Sequence, residues 1–188
     1  MGNPSIACIG IIGKLDNPLH ISIFPPHEES RLELSLLLNS CLDLFEIRRK
    51  HTAVDQGLGL LHAFDERFAA YGWLTNTDVK LLIIVDMDGR VTSDIDKKRV
   101  QPLAGLRDAD LKPAFRTIQT TYIKLLQNPF YKAHDATPVG RAPMCVPESF
   151  KTANSRFIQE IEEIGKCWNV GMTGVLVSGT MNFTFDLI

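Results

Sequence analysis

Residues 79–85, which read VKLLIIV, constrain the fold more than any other part of the chain. Only one of these seven side chains is charged, so a strand formed here belongs at the buried centre of a sheet. Residues 5–13, SIACIGIIG, form a second continuous apolar run of strand length. The two runs predict that a β-sheet organises the chain.

Three shorter segments complete a predicted five-stranded sheet. Residues 19–24 alternate between apolar and polar side chains and follow a turn containing Asp, Asn and Pro, which predicts a hairpin with the first strand. Residues 58–64 and 68–75 also have strand character, and Asn76-Thr77-Asp78 provides a tight turn into the central strand.

Helical patterns occupy the remaining apolar segments. Ser30 and Glu33 have the spacing of a capping box and begin a leucine-rich helix that ends near Lys50. A second helix is predicted to begin with Asp110 as its N-cap, which places Pro113 in the first turn, where proline is tolerated. A third spans about 148–168. The order ββαβββαα predicts an α+β fold with strands on one side and helices on the other.

The chain of 188 residues suits one domain, which we place at residues 1–168. Within it, residues 87–109 and 131–147 are predicted to be surface loops, and residues 169–188 form a tail of β-prone composition. The uncharged run 167–185 does not resemble a membrane span, because nine of its 19 residues are Gly, Ser, Thr or Asn.

Charge and cysteine usage narrow the class of protein. A net charge of −2 provides no global basic field, which argues against a nucleic-acid binder. The basic run 48–51 is predicted to be a solvated helix end. The four cysteines have no metal-ligand or CxxC spacing and no secretory signal precedes them, so we expect a reducing, cytosolic compartment.

The best enzymatic candidate is the sequence LLIIVDMDG at residues 81–89. A strand that ends in Asp-x-Asp-Gly resembles the first motif of haloacid-dehalogenase-like phosphohydrolases, in which Asp86 would be the nucleophile and Asp88 the general acid beside Mg²⁺. Arg90 stands where that family has Thr, and no later strand ends in an acidic pair. We therefore favour a structural Asp-Gly turn after Val85 and keep the phosphohydrolase as the alternative.

No other motif indicates catalysis, a cofactor or a metal. Gly57-Leu58-Gly59 lacks the third glycine and the following helix of a dinucleotide fingerprint. The five histidines are scattered and form no HxxxH pair. The sequence thus predicts a non-enzymatic protein with no cofactor and no metal ligands.

The first predicted helix carries two apolar stripes, which indicates a binding partner. One stripe contains Leu34, Leu38 and Phe45 and suits the sheet. At 100° per residue, the opposite face carries Leu32, Leu36, Asp43 and Ile47. An exposed apolar patch of this kind tends to mark an interaction site. The alternative is that the last helix or the tail folds over this face.

Several segments, in this order along the chain, resemble the TRAPP subunit 2-like proteins, relatives of sedlin. The resemblance covers roughly residues 5–132, and its segments are Cys41-Leu42-Asp43, Tyr71-Gly72-Trp73-Leu74-Thr75-Asn76, Val79-Lys80 through Val85-Asp86, Leu106-Arg107-Asp108 and Gln127-Asn128-Pro129-Phe130-Tyr131.

The resemblance implies a longin fold and a place in a multisubunit vesicle tether. That complex acts at ER, Golgi and endosomal membranes as a nucleotide-exchange factor for Rab GTPases. This type of subunit supplies assembly contacts with other TRAPP subunits rather than the exchange chemistry, and it reaches membranes only through the complex. The family's aspartate linked to partner contacts corresponds to Asp43. A longin module of a different trafficking complex is a third reading, although no coiled-coil heptads follow the domain.

The chain departs from the family pattern in its long loops, 87–109 and 131–147, and in the tail 169–188. The tail has three open interpretations. It could add a strand to a sheet edge, cover a partner-binding surface, or be an artefact of the gene model.

Overall fold

The computed structural model describes residues 3–50, 56–90, 106–129, 131 and 155–170. Five strands are present: β1 (Asn3–Ile12), β2 (Pro18–Ile23), β3 (Gln56–Ala63), β4 (Phe68–Leu74) and β5 (Lys80–Arg90). The helices among these residues are α1 (Arg31–Ser40), α2 (Leu42–Arg49), α3 (Asp108–Leu126) and α4 (Ser155–Cys167). The predicted order of elements is confirmed, except that the first helix is divided in two.

All five strands form one antiparallel sheet with the order β2-β1-β5-β4-β3. The most apolar segment therefore lies at the centre, as its sequence predicted. It pairs with β1 on one side and with β4 on the other.

Helices cover both faces of the sheet. On β5, Leu81, Ile83 and Val85 face a core shared with α3 and α4, whereas Leu82 and Ile84 face a core shared with α1 and α2. The predicted α+β class is confirmed, but the arrangement with helices on one side is wrong. Two covered faces explain why the central strand is apolar at nearly every position, because successive side chains point to opposite faces.

The first predicted helix is interrupted at Cys41. The Cys41 N–H donates to the carbonyls of both Leu37 and Leu38, at 3.3 and 3.1 Å, which tightens the turn between α1 and α2. The predicted capping box is also wrong, because Ser30 makes no side-chain cap hydrogen bond. A 3₁₀ turn over Glu28–Ser30 leads directly into α1 instead.

The central strand continues past the predicted Asp-Gly turn. We expected a turn after Val85, but β5 extends to Arg90 because β1 begins at Asn3 and provides it with a partner. Gly89 has a φ of 56°, and a Cβ at this position would lie 1.4 Å from the Asn3 carbonyl oxygen. Glycine is therefore required where the two strands approach at a bulge.

The long helix α3 begins earlier than predicted. Its N-cap is Arg107, and the Asp110 carboxylate accepts a hydrogen bond from the Arg107 N–H at 3.0 Å. Pro113 consequently lies in the second turn and not in the first. In α4, Phe157, Ile161 and Ile164 are buried, and just after the helix the Trp168 Nε1–H donates to the Asp110 carbonyl at 3.2 Å.

Several predictions fall partly outside the described residues: the start of the last helix (148–154), most of both loops (91–105 and 132–147) and the tail from residue 171. Within the part of the chain that the structure describes, no helix is long and apolar enough to span a bilayer.

Candidate protein-interaction surface

The inner face of α1 and α2 packs closely on the sheet. Leu34, Leu38 and Phe45 are buried against it. Two glycines permit the close approach: a Cβ on Gly10 would lie 3.1 Å from a methyl carbon of Leu38, and one on Gly72 would lie 2.8 Å from Cζ of Phe45. The inner stripe is therefore fully used for packing.

The outer face of the same two helices is exposed. Leu32, Leu36 and Ile47 are 59%, 59% and 60% exposed, and Asp43 is also exposed. We refer to these four residues as the α1–α2 outer face. All four are exposed, whereas Leu34, Leu38 and Phe45 of the same two helices are buried. Their role in binding stays a prediction.

The last helix does not cover this face. α4 packs on β1 and α3 and contributes Phe157, Ile161 and Ile164 to the core on the opposite side of the sheet. The alternative that the last helix folds over this face is therefore wrong. The other alternative concerns the tail, which lies outside the described residues from residue 171.

A buried lysine connects the end of α2 to a neighbouring turn through ion pairs with partly exposed carboxylates. Lys80 is only 3% exposed, and its Nζ contacts the Asp16 carboxylate and lies 3.7 Å from Oε1 of Glu46. Asp16 is in the β1–β2 turn beside Leu15, which is 64% exposed. No sequence pattern indicated Leu15, because ion pairs between residues far apart in the chain bring this turn next to α2.

The basic run at the end of α2 is partly structural. Arg48 donates from Nη1 to the Leu58 carbonyl at 2.8 Å and from Nη2 to the Leu61 carbonyl at 3.2 Å. Arg49 Nη2 lies 3.0 Å from Asp78 Oδ1 in the β4–β5 turn. The prediction of a solvated helix end is wrong at Arg48, which ties α2 to the backbone of β3.

The candidate catalytic residue Asp86 is the centre of a buried polar cluster. It is 1% exposed, and Arg67 donates to both of its oxygens at 3.2–3.3 Å. Nε2 of His27 lies 2.9 Å from Oδ2, and the backbone N–H groups of Asp88 and Gly89 donate to Oδ1 at 3.0 and 3.3 Å.

These contacts determine the protonation of Asp86. Burial alone would raise the pKa of its carboxyl group, but the hydrogen bonds from Arg67, Asp88 and Gly89 outweigh it and lower the pKa. Asp88 is exposed, so the two carboxylates do not share one pocket. Asp86 joins β5 to the chain after β2 and to the β3–β4 turn, and both of its carboxylate oxygens accept hydrogen bonds.

Two of the three described cysteines, Cys8 and Cys41, behave as structural residues. Burial raises the pKa of the Cys8 thiol to about 12 and that of Cys41 to about 11, so both stay protonated as small apolar side chains. Among the residues that the structure describes, no group of three His, Cys, Asp or Glu side chains could hold a metal ion.

Comparison with known proteins adds independent information. Residues 11–140 match the family model described as Sedlin. The chain is similar to a trafficking protein particle complex subunit 2-like protein of Dictyostelium discoideum, with 34% identity over 85% of this chain and 95% of that protein. Proteins of the same name from Mus musculus and Bos taurus are 29% and 28% identical over 68% of this chain and 84% of their own length.

Proposed function

The chain belongs to the sedlin family, and from this premise we propose that it is a non-catalytic assembly subunit of a trafficking protein particle complex. It binds a neighbouring subunit of that complex through the α1–α2 outer face. The observation that carries the proposal is the second apolar stripe on a helical layer whose inner stripe is already buried.

The apolar side chains of this face supply the binding energy. Leu32, Leu36 and Ile47 each keep about three-fifths of their surface in water. Burying the remainder against a partner contributes on the order of 4 kcal/mol in total, at about 1.5–3 kcal/mol for each fully buried side chain. This is enough to make the three residues the centre of an interface.

Asp43 supplies the specificity. A carboxylate that is buried among apolar groups destabilises a complex unless the partner donates hydrogen bonds to it. Asp43 therefore favours a partner that carries a donor at this position and disfavours an apolar surface that carries none.

The proposed cellular location and the proposed role in nucleotide exchange are those that the resemblance to the family implies. In this proposal the protein is cytoplasmic and associates peripherally with ER and Golgi membranes through the complex. It supports assembly of the tether for nucleotide exchange on Rab GTPases without contributing a catalytic group. The occupied carboxylate of Asp86 supports this proposal over a phosphohydrolase.

A capture experiment with matched variants tests the proposal. The tagged full-length chain is expressed in cells of the organism that it comes from, and the proteins that it retains are identified by mass spectrometry. We expect the unaltered chain to retain trafficking protein particle subunits and Leu36→Glu to lose them. Ile123→Glu is the control, because Ile123 is 46% exposed on α3, across the sheet. Equal retention by both variants would show that the α1–α2 outer face is not the docking site.

A further inference from the structure

The two edges of the sheet are unequally protected against a further strand. At β3, the pairing with β4 shifts register twice, and Gly59 has a φ of 66°. Bulges of this kind discourage the pairing of a further strand. At β2, pairing with β1 is regular from Ile23 to His20, and the single shift lies at the Pro18 end. β2 is therefore the edge on which a strand can add.

The strand β2 also lacks the charged side chains that usually protect an exposed edge. Its six residues, PLHISI, include no Asp, Glu, Lys or Arg, and its proline stands at the first position. Burial lowers the pKa of His20 to about 4, so the ring is neutral at pH 7. An edge strand with no charge and no internal proline is open to pairing with another strand.

Backbone groups of β2 point away from the sheet along this edge. The Phe24 N–H donates to the Ala7 carbonyl at 2.9 Å, which fixes the phase of the ladder. Because hydrogen-bonding direction alternates along an antiparallel strand, the N–H and C=O groups of Ile21 and Ile23 point outward. In the part of the chain that the structure describes, no strand pairs with them.

A groove of about 380 Å³ lies along this edge, and its two walls differ in charge. Arg31 forms the wall on the side of α1, and Ile158 and Glu162 form the wall on the side of α4. Among the described residues, no carboxylate forms an ion pair with Arg31, whereas Glu162 lies 2.9 Å from Nζ of Lys166. The α1 wall is therefore basic, and the α4 wall combines a half-buried apolar side chain with an acid.

Side chains of an added strand would alternate between these two walls. Ile21 and Ile23 face the core under α1 and α2, whereas His20 contacts α4. A residue placed opposite Ile21 therefore directs its side chain to the α1 wall, and the next residue directs its side chain to the α4 wall. A carboxylate suits the first position, beside Arg31. An apolar side chain suits the second, because Glu162 would repel an acid there.

From these observations we propose that the β2 edge binds an extended segment of a partner protein as a sixth strand, with an acidic side chain beside Arg31 and apolar side chains on Ile158. The outward backbone groups of Ile21 and Ile23 supply the hydrogen bonds, and Arg31 selects the sequence. This contact is additional to the α1–α2 outer face and does not depend on the function proposed for that face. A second copy that paired through its own β2 would bring no carboxylate to Arg31.

A peptide titration of the full-length chain tests this proposal. The probe is the acetylated peptide Thr-Val-Glu-Val-Glu-Val-Thr, whose glutamates all lie on one side of a strand and whose valines lie on the other. Amide hydrogen exchange is followed residue by residue by NMR. We expect the amides of Ile21 and Ile23 to exchange quickly in the free chain and about 10-fold or more slowly with the peptide bound. The amide of Leu60 on the opposite edge is the internal control and should not change.

Matched variants separate the role of the backbone from that of the charge. Ile21→Pro removes an outward N–H without removing a hydrogen bond to β1, and Ile21→Ala loses at least as much packing but keeps the N–H. We expect the peptide Kd, measured by fluorescence anisotropy, to be about 10-fold or more higher for Ile21→Pro than for Ile21→Ala.

Arg31→Glu tests the charge by exchange of partners. This variant should bind the glutamate peptide about 10-fold or more weakly than the unaltered chain does. A peptide with lysines in place of the glutamates should show the reverse preference and bind Arg31→Glu more tightly. Leu36→Glu should bind the glutamate peptide as the unaltered chain does, which separates this groove from the α1–α2 outer face.

Four results would overturn the proposal. Slow exchange at Ile21 and Ile23 before any peptide is added would show an edge that is already occupied, and dependence on protein concentration would identify the occupant as a second copy. Failure of the unaltered chain to bind the glutamate peptide would show that the edge takes no such segment. Equal binding of the glutamate and lysine peptides would remove Arg31 from recognition. Loss of binding in Leu36→Glu would place the peptide on the α1–α2 outer face.

Discussion

An aspartate is the central charge of two regions of this protein, and the two regions differ in what surrounds it. Asp86 is buried, and Arg67 and two backbone N–H groups donate hydrogen bonds to it. Asp43 is exposed between apolar side chains of the α1–α2 outer face. The sequence singled out both residues, Asp86 as a candidate nucleophile and Asp43 as a candidate partner contact. An enclosed carboxylate whose oxygens already accept hydrogen bonds holds segments of the chain together. An exposed carboxylate remains available to a partner.

The largest expected effect is on stability at Asp86. Asp86→Ala leaves the N–H groups of Asp88 and Gly89 without their acceptor and removes the partner of Arg67, so we expect a loss of about 2–3 kcal/mol in the free energy of unfolding. The loss falls in the lower part of the range that is usual for a broken buried ion pair, because Arg67 is half-exposed and water screens its interaction with Asp86. Urea denaturation measures the loss. The control is Asp88→Ala, and an equal loss in both variants would contradict the distinction between them.

The next effect is on binding at Asp43. Asp43→Tyr removes the carboxylate and places a large ring on the α1–α2 outer face, so we expect the Kd for the captured subunit to rise about 10-fold or more. The free energy of unfolding should change by no more than about 0.5 kcal/mol, because the side chain is exposed. Calorimetric titration and thermal melting measure the two quantities. A collapse of the Tm would instead make Asp43 structural.

The smallest effect appears only in acid. The pKa of Asp86 is lower in the folded chain than the ordinary value of about 3.9, so the unfolded state binds more protons between these two values. The stability that Asp86 contributes is therefore present above about pH 4 and is lost as the pH falls through its folded pKa. Unfolding followed from pH 7 to about pH 3 should show a steeper acid loss in the unaltered chain than in Asp86→Asn. Parallel curves would contradict the assignment.

The sequence predicted the apolar pattern of this fold well and the ends of its elements poorly. The apolar run at 79–85 predicted the central strand, and helical spacing predicted that Leu32, Leu36, Asp43 and Ile47 would lie away from the sheet. Both predictions depend on the order of apolar and polar residues along the chain, which a sequence displays directly.

Contacts between distant segments could not be predicted in the same way. His27, Arg67 and Asp86 meet although about 20 or more residues separate each from the next, and no spacing records such a contact. The division of helices between two faces also depends on how the chain crosses the sheet rather than on any helix by itself. β5 continues through Asp86 to Arg90 because β1 pairs with it along this stretch. The Asp-Gly pair by itself indicates a turn instead.

The close approach of α1 and α2 to the sheet has a thermodynamic consequence for binding. Gly10 and Gly72 let Leu38 and Phe45 seat directly on the strands, and Arg48 fixes the far end of α2 to the backbone of β3. The helices that carry Leu36 and Ile47 are thus held in place before any partner arrives. Association then loses little backbone conformational entropy on this side of the interface. If a partner docks on the α1–α2 outer face as proposed, these two glycines contribute to its affinity through preorganisation.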